Sequence, residues 1–444
     1  MSLNLPNSFK LRMAKTLPEH HYKQLMDSYD KPAYRAFRFF DSKIDPAFGR
    51  SLLTFETIES ALNPKSLLFD EKIKIGRHPF YHGGALYPQE PSAALVVDVA
   101  DIQPNQTVID VCSAPGGKSL QLLHLLQGKG YCVSNEIDRK RVKILMSNLE
   151  RMGDDNSIVT SMSTQQLSQL WPHHFDRVIV DAPCSGEGTY RKDISAQQYD
   201  KDENVFVCSL RQKDILHHAS KLVKQGGYLI YSTCTFNQTE NEDVVEEFLS
   251  THTDFTIEPV HLSVGQPGFG KYSESVRRIY PFDGGEGQFV AKLKYLGVEA
   301  NSFTYLRQKP LNHKQKQMLT EVFTQVDHRF YQLSDRIYFS SQPTLAVTSA
   351  LKKDILVGWD KGNYLLMEHE CSKNRHLKHL FKNKIELNLD QANQYLQGEV
   401  LNIQYVFGWG IVLYHSVSLG LIKGDGSVCK NKYPKGLRNL GVES

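Results

Sequence analysis

The chain has 444 residues, of which 40% are hydrophobic and 23% charged, with a formal net charge of +3. That length exceeds one ordinary core and predicts roughly three domains, and the composition excludes a disordered or fibrous chain. No run approaches the roughly 20 apolar residues of a membrane span, and MSLNLPNSFKLRMAK lacks the apolar core of a secretory signal, so a cytoplasmic protein without a membrane partner is expected.

Residues 1–75 read at first as amphipathic helix, as in LPEHHYKQLMDSY, and end before the turn-rich HPFYHGGALYPQEP. From about residue 90 the pattern changes. PSAALVVDVADI predicts a helix entered through a proline, followed by the short buried strand TVIDVC, a Gly-rich turn and the helical run KSLQLLHLL. The alternation continues through strand GYCVSNEI, helix RKRVKILMSNLERMG and strands SIVTS and DRVIVDAP. In QKDILHHASKLVKQGG, Ile215, Leu216, Ala219, Leu222 and Val223 form one helical face. Gly226 and Gly227 are expected to stop that helix before strand YLIYSTCT, and GQFVAKLKY predicts a closing strand. Such alternation implies a doubly wound, mostly parallel sheet, whose ligands bind beyond the carboxyl ends of the strands. After about residue 297 the rhythm fades. From about residue 390, Gly-broken apolar runs such as YVFGWGIVLYHSVSLGLIKGDG predict a small β domain. The expected division is 1–75, 76–296, 297–388 and 389–444. Two basic runs stand out, CSKNRHLKHLFKNK at 371–384 and the tail with Lys430, Lys432, Lys435 and Arg438. Each, taken alone, reads as solvated surface.

The unusual residues collect at strand ends. In Asp110-Val-Cys-Ser-Ala-Pro-Gly-Gly-Lys118 a strand passes through two glycines into a helix, so the backbone can approach a ligand and free N–H groups face it. A tight turn of any α/β protein is the plainer reading, and a dinucleotide site would need the absent GxGxxG. Glu136 closes the second strand, where an acid suits ribose hydroxyls, with Asp138 as its substitute. Asp181-Ala-Pro-Cys184-Ser-Gly and Ser232-Thr-Cys234-Thr place two cysteines on the same edge, and a thiolate is the strongest side-chain nucleophile near neutral pH. Cys112, at a strand-to-turn junction, reads as packing. The seven cysteines are scattered and none forms a CxxC pair, which argues against disulfides and a zinc site; no metal is expected.

Over residues 79–296 these motifs resemble the catalytic domain of the NOL1/NOP2/Sun family of RNA cytosine-5 methyltransferases. The resemblance rests on YPQEPSA, DVCSAPGGKS, DAPCSGEG, STCTFNQTENEDVV and YPFDGGEGQFVAKL. The tail GWGIVLYHSVSLGLIKGDGSVCKNKYPKGLR is similar to the RsmF/YebU branch, which modifies small-subunit ribosomal RNA. The resemblance implies a Rossmann-like class I methyltransferase domain, an N-terminal RNA-binding extension and a PUA-like C-terminal β domain. It also implies S-adenosylmethionine as cofactor and 16S rRNA, alone or in the small subunit, as partner, with the same chemistry on transfer RNA as the alternative. Carried over, Cys112, Ser113, Ala114, Pro115, Gly116, Gly117 and Lys118 line the cofactor, and Glu136 holds its ribose. Asp181 lies beside its methionine part or the target base, and is the catalytic acid expected to stabilise charge on the ring through its N3 or N4 edge. Cys234 becomes the nucleophile and Cys184 the residue that aids release. Where the family has an adenine-contacting Asp, SMSTQQ puts Ser163. A DNA-type enzyme would instead attack through the Pro-Cys residue, Cys184.

Overall fold

A computed structural model describes residues 5–297, 303–347, 349–401 and 406–439. Helices Asn7–Thr16 and Glu19–Tyr29 open the chain. A four-stranded sheet follows, in the order Ile58–Glu59, Leu67–Leu68, Ala36–Phe39, Leu86–Pro88. Ala36–Phe39 is buried at every residue, Arg38 included, and four residues are too few for a two-residue alternation to stand out. Leu86–Pro88 pairs with it, so this sheet draws a strand from beyond residue 75.

The central sheet has eight strands. They are β1 Thr107–Asp110, β2 Tyr131–Asn135, β3 Ser157–Thr160, β4 Phe175–Asp181, β5 Val223–Thr233, β6 Phe255–Glu258, β7 Arg277–Ile279 and β8 Gln288–Tyr295. The order is β6-β8-β5-β4-β1-β2-β3, with β7 paired to β8. Strands β5, β4, β1, β2 and β3 run parallel, and β8 closes antiparallel on β5. Its helices are α1 Pro91–Ala100, α2 Gly117–Leu126, α3 Arg141–Met152, α4 Thr164–Leu170, α5 Asp202–Ser220 and α6 Glu242–Thr251. Alternate residues of each strand feed two cores. Ile109, Val133, Val178 and Leu229 pack with Leu216 of α5, whereas Val108, Cys132, Ile179 and Ile230 pack with Leu122 of α2 and Leu145 of α3. The sheet is therefore buried on both faces, as a doubly wound fold requires.

One expected boundary moves. Helix α5 ends at Ser220, and Gly226 and Gly227 lie inside β5 rather than after the helix. The β4–β5 register shifts between Phe175 and Arg177. There a Cβ on Gly227 would stand 2.9 Å from the Asp176 carbonyl oxygen, so the glycine permits a close backbone approach.

Beyond β8 lies a five-stranded antiparallel sheet from Lys309–Pro310 to Leu365–Met367. The last sheet joins Asn383–Glu386, Phe407–Tyr414, Val417–Asp425 and Cys429–Asn431. Its first strand precedes residue 389 and pairs parallel with Phe407–Tyr414. The regions do not hang separately. Phe37, Phe39 and Phe80 share one core with Tyr395, Val412 and Leu419, and Phe9, Met13 and Leu25 pack on Tyr190, Phe236 and Tyr280. The basic run at 371–384 is not all solvated surface: Lys373 is buried, and its Nζ donates to the carbonyls of His82, Ser418 and Leu419. Three backbone acceptors replace water around Nζ, and burial holds this amine well below the ordinary lysine range. None of the described helices is long and apolar enough to cross a membrane.

Candidate active site

The parallel strands deliver their last residues to one edge, and backbone bonds lock those ends together. Val111 N donates to Ile179 O, Ser113 N to Asn135 O, Glu136 N to Thr160 O and Ala182 N to Ser232 O. A cavity of about 960 Å³ opens along this edge. Its wall includes Cys112, Ala114, Glu136, Ser163, Asp181, Cys184 and Cys234, so residues from five strand ends converge there. Ser113, Pro115, Gly116 and Gly117 do not form part of the wall and shape the turn from behind, whereas Lys118 meets the wall through Asp181. Ser113 Oγ donates to Asp110 O and Asn148 Nδ2 to Pro115 O. Gly116 has φ +113°, and a Cβ there would meet Leu145 at 3.0 Å, so this turn requires glycine.

At one part of the wall the two cysteines meet, Cys184 Sγ 3.4 Å from Cys234 Sγ. The hydrogen bond to Cys234, and then burial, push the Cys184 thiol well above its ordinary value. Either sulfur can donate in this contact. Cys112 is set apart from this pair. Burial first, then nearby carboxylates, raise its thiol far above the ordinary range, which fits the expected packing role.

Asp181 is held by three donors: Lys118 Nζ at 2.6 Å on Oδ2, and Ser232 Oγ at 2.7 Å and Gln288 Nε2 at 3.0 Å on Oδ1. Burial alone would lower Lys118, but the Asp181 charge outweighs it and raises the ammonium above its ordinary value. All three bonds end on Asp181 oxygens, one of them from Lys118. Gln288, which positions it, lies in GQFVAKLKY, where a strand pattern conceals any polar role.

Glu136 is almost fully buried. Oε1 accepts from Asp138 N at 2.9 Å, while Oε2 is buried with no hydrogen-bond partner and has Arg141 Nη1 at 3.4 Å. A buried carboxylate oxygen left unbonded is costly unless a ligand supplies the donor. Asp138 is instead occupied with the N–H groups of Lys140 and Arg141 ahead of α3. Ser163 lines the cavity as the N-cap of α4: its Oγ accepts from Gln166 N, and Gln166 reciprocates in a capping box.

The loops carrying the cysteines are tied by two acids that lie within DAPCSGEG and STCTFNQTENEDVV and to which the resemblance assigns no role. Glu187 Oε2 accepts from Thr235 Oγ1 at 2.7 Å, Phe236 N at 2.7 Å and Asn237 N at 2.9 Å. Glu240 accepts from Ser185 N, Gln212 Nε2 and Asn237 Nδ2. Each bond joins positions about 30–55 apart, or only three, so no local spacing reveals the set.

Three sequence profiles match in chain order. The N-terminal domain of 16S rRNA methyltransferase RsmF matches residues 5–91, 16S rRNA methyltransferase RsmB/F residues 97–294, and the methyltransferase RsmF PUA domain residues 382–439. Ribosomal RNA small subunit methyltransferase F of Shewanella woodyi is 30% identical, covering 98% of this chain and 97% of that protein. The chain belongs to the ribosomal RNA small subunit methyltransferase F family. Its fold is therefore a Rossmann-like methyltransferase domain followed by a C-terminal PUA domain. A human protein named 28S rRNA (cytosine(4447)-C(5))-methyltransferase is 33% identical over 51% of this chain and 29% of its own length. A solved structure of a methyltransferase homolog protein from Pyrococcus horikoshii aligns with a TM-score of 0.58 at 26% identity, covering 66% of this chain and 96% of that one. As a family member, the chain is a ribosomal RNA methyltransferase.

Proposed function

We propose that this protein transfers a methyl group from S-adenosylmethionine to C5 of a cytidine in 16S rRNA, through a covalent bond between Cys234 Sγ and C6 of the base. The observation that carries this reading is the pair of thiols 3.4 Å apart, in the wall of a cavity that also holds Glu136. S-adenosylmethionine supplies an electrophilic methyl group when bound, and the unbonded Glu136 Oε2 suits its ribose hydroxyls.

C5 of cytosine is a poor nucleophile while the ring is aromatic. Attack of the Cys234 thiolate on C6 makes C5 an enamine-like carbon able to take the methyl group. Asp181 offers its fixed oxygens to the N4 amino group, and Lys118 beside it offsets negative charge developing on the ring. Once C5 is methylated, its proton leaves and the C6–Sγ bond breaks. Aromaticity returns, and Cys234 leaves as a thiolate. The hydrogen bond to Cys234 is the largest cause that keeps Cys184 protonated. When Cys234 sulfur becomes a thioether that bond weakens, and Cys184 can give up its own proton to solvent and, as a thiolate, take the C5 proton as Cys234 leaves. The base must leave its stack to reach this edge, and the PUA domain supplies contacts for placing the RNA.

Bisulfite mapping of ribosomal and transfer RNA from cells with and without the protein tests the proposal. One or more 16S cytidines should lose their 5-methyl mark. A loss confined to transfer RNA would move the substrate assignment, and unchanged marks in both would overturn the reaction.

A further inference from the structure

Arg12, on the first helix, reaches into the methyltransferase domain. Its Nε and Nη2 donate to Glu187 Oε1 at 3.2 and 3.0 Å, and its Nη1 to Asp202 Oδ1 at 2.8 Å. Nη2 also bonds Asp200 Oδ1, and Ser8 Oγ bonds the other oxygen of Asp200. The Glu187 and Asp200 side chains are 0% exposed, and that of Arg12 is 16% exposed. The second oxygen of Glu187 binds Thr235 and the amides of Phe236 and Asn237, immediately after Cys234. Asp200 and Asp202 end a segment whose Asp193, Ser195, Ala196 and Tyr199 line the cavity. One guanidinium therefore holds two walls of the site from outside the methyltransferase domain.

We propose that Arg12 is a positioning residue for Cys234: through Glu187 it fixes the loop carrying the nucleophile, and through Asp200 it fixes the facing wall. The inference rests on Cys234 as the attacking thiol. Removing Arg12 leaves two buried carboxylates without their cation, which is strongly unfavourable unless the loops move. Lysine offers a point charge and not a fork, so it cannot hold three carboxylates at once. With its donors so engaged, Arg12 is not free to bind phosphate.

The test uses full-length Arg12→Met, Arg12→Lys and Glu187→Gln. Misplacing an attacking atom by about 1 Å costs on the order of a hundredfold in rate, so Arg12→Met should lower kcat by about that factor. KM for RNA and the affinity for S-adenosylmethionine should stay within about twofold. Arg12→Lys should recover part of kcat, and millimolar guanidinium should partly rescue Arg12→Met. Glu187→Gln keeps the side-chain shape and should lower kcat without altering cofactor affinity, which covers the case in which Arg12→Met fails to fold. Alkylation of Cys234 by iodoacetamide reads loop position without turnover and should change several-fold in Arg12→Met even if the methylation reading fails. Unchanged kcat with a raised KM, or unchanged kcat and alkylation, would overturn the proposal.

Discussion

Two sulfurs 3.4 Å apart cannot both be anions without strong repulsion, so the pair divides its work: one holds a proton and the other can attack. The proposed division has Cys184 holding the proton and Cys234 attacking. Cys234→Ala should abolish methylation and leave no covalent RNA complex. Cys184→Ala should permit attack and transfer but stall elimination, so that protein stays attached to RNA as a slow band in a denaturing gel. The DNA-type assignment gives the reverse pattern. The unbonded Glu136 oxygen gives a second residue-scale expectation. Loss of charge-assisted hydrogen bonds in Glu136→Ala should cost about 1.5–3 kcal/mol, or roughly ten- to a hundredfold in cofactor affinity by calorimetric titration, with the fold retained. These residues were legible in the sequence because strand ends are marked by local pattern. Glu187 and Arg12 were not, because their partners lie across 175 residues of chain, and one sequence holds no sign of such a pair.

At the scale of elements, strand–helix alternation was legible wherever glycines, caps and apolar periodicity agreed. Pro91 at the start of α1 is one case, with Glu90 accepting from the N–H groups of Ser92 and Ala93. Gly226 and Gly227 show the limit, since a strand bulge and a helix stop use the same residue. Ser163 is another shared signal, a cap that also faces the cavity. Ser163→Ala should destabilise the protein by about 1 kcal/mol in thermal or urea unfolding. Ser163→Asp should keep the cap and supply the charge the family pattern has at this point, tightening cofactor binding. Equal stability of Ser163→Ala and the parent would remove the cap role. Gly188 is a sharper case. Its N–H donates to Cys234 O at 2.9 Å, and an added Cβ would stand 2.8 Å from that oxygen and 3.0 Å from Glu286 O. Both neighbours are backbone and cannot swing aside, so Gly188→Ala should displace the Cys234 loop and depress kcat more than cofactor affinity, as steady-state kinetics and calorimetry would show.

Across the whole molecule, the exposed Lys430, Lys432 and Lys435 sit on the PUA domain, and Lys423 and Lys432 stand over the Trp409 ring. Replacing Lys430, Lys432 and Lys435 with Gln should weaken RNA binding and flatten the slope of log affinity against log salt by about 2. S-adenosylmethionine binding should not change. Cutting the chain near residue 388 is a poor substitute for that experiment, because Tyr395, Val412 and Leu419 are core partners of Phe37, Phe39 and Phe80, and the cut would expose the N-terminal sheet. The same shared core imposes an order on biosynthesis. Roughly 360 residues separate Phe37 from Tyr395, and at about 5–20 residues per second the ribosome needs about 20–70 s to make them. Throughout that interval the first sheet has emerged without its partner, its phenylalanines open to chaperones or to other nascent chains. Its final packing becomes available only as the last domain leaves the exit tunnel, so a message truncated near its end yields a protein defective at its beginning.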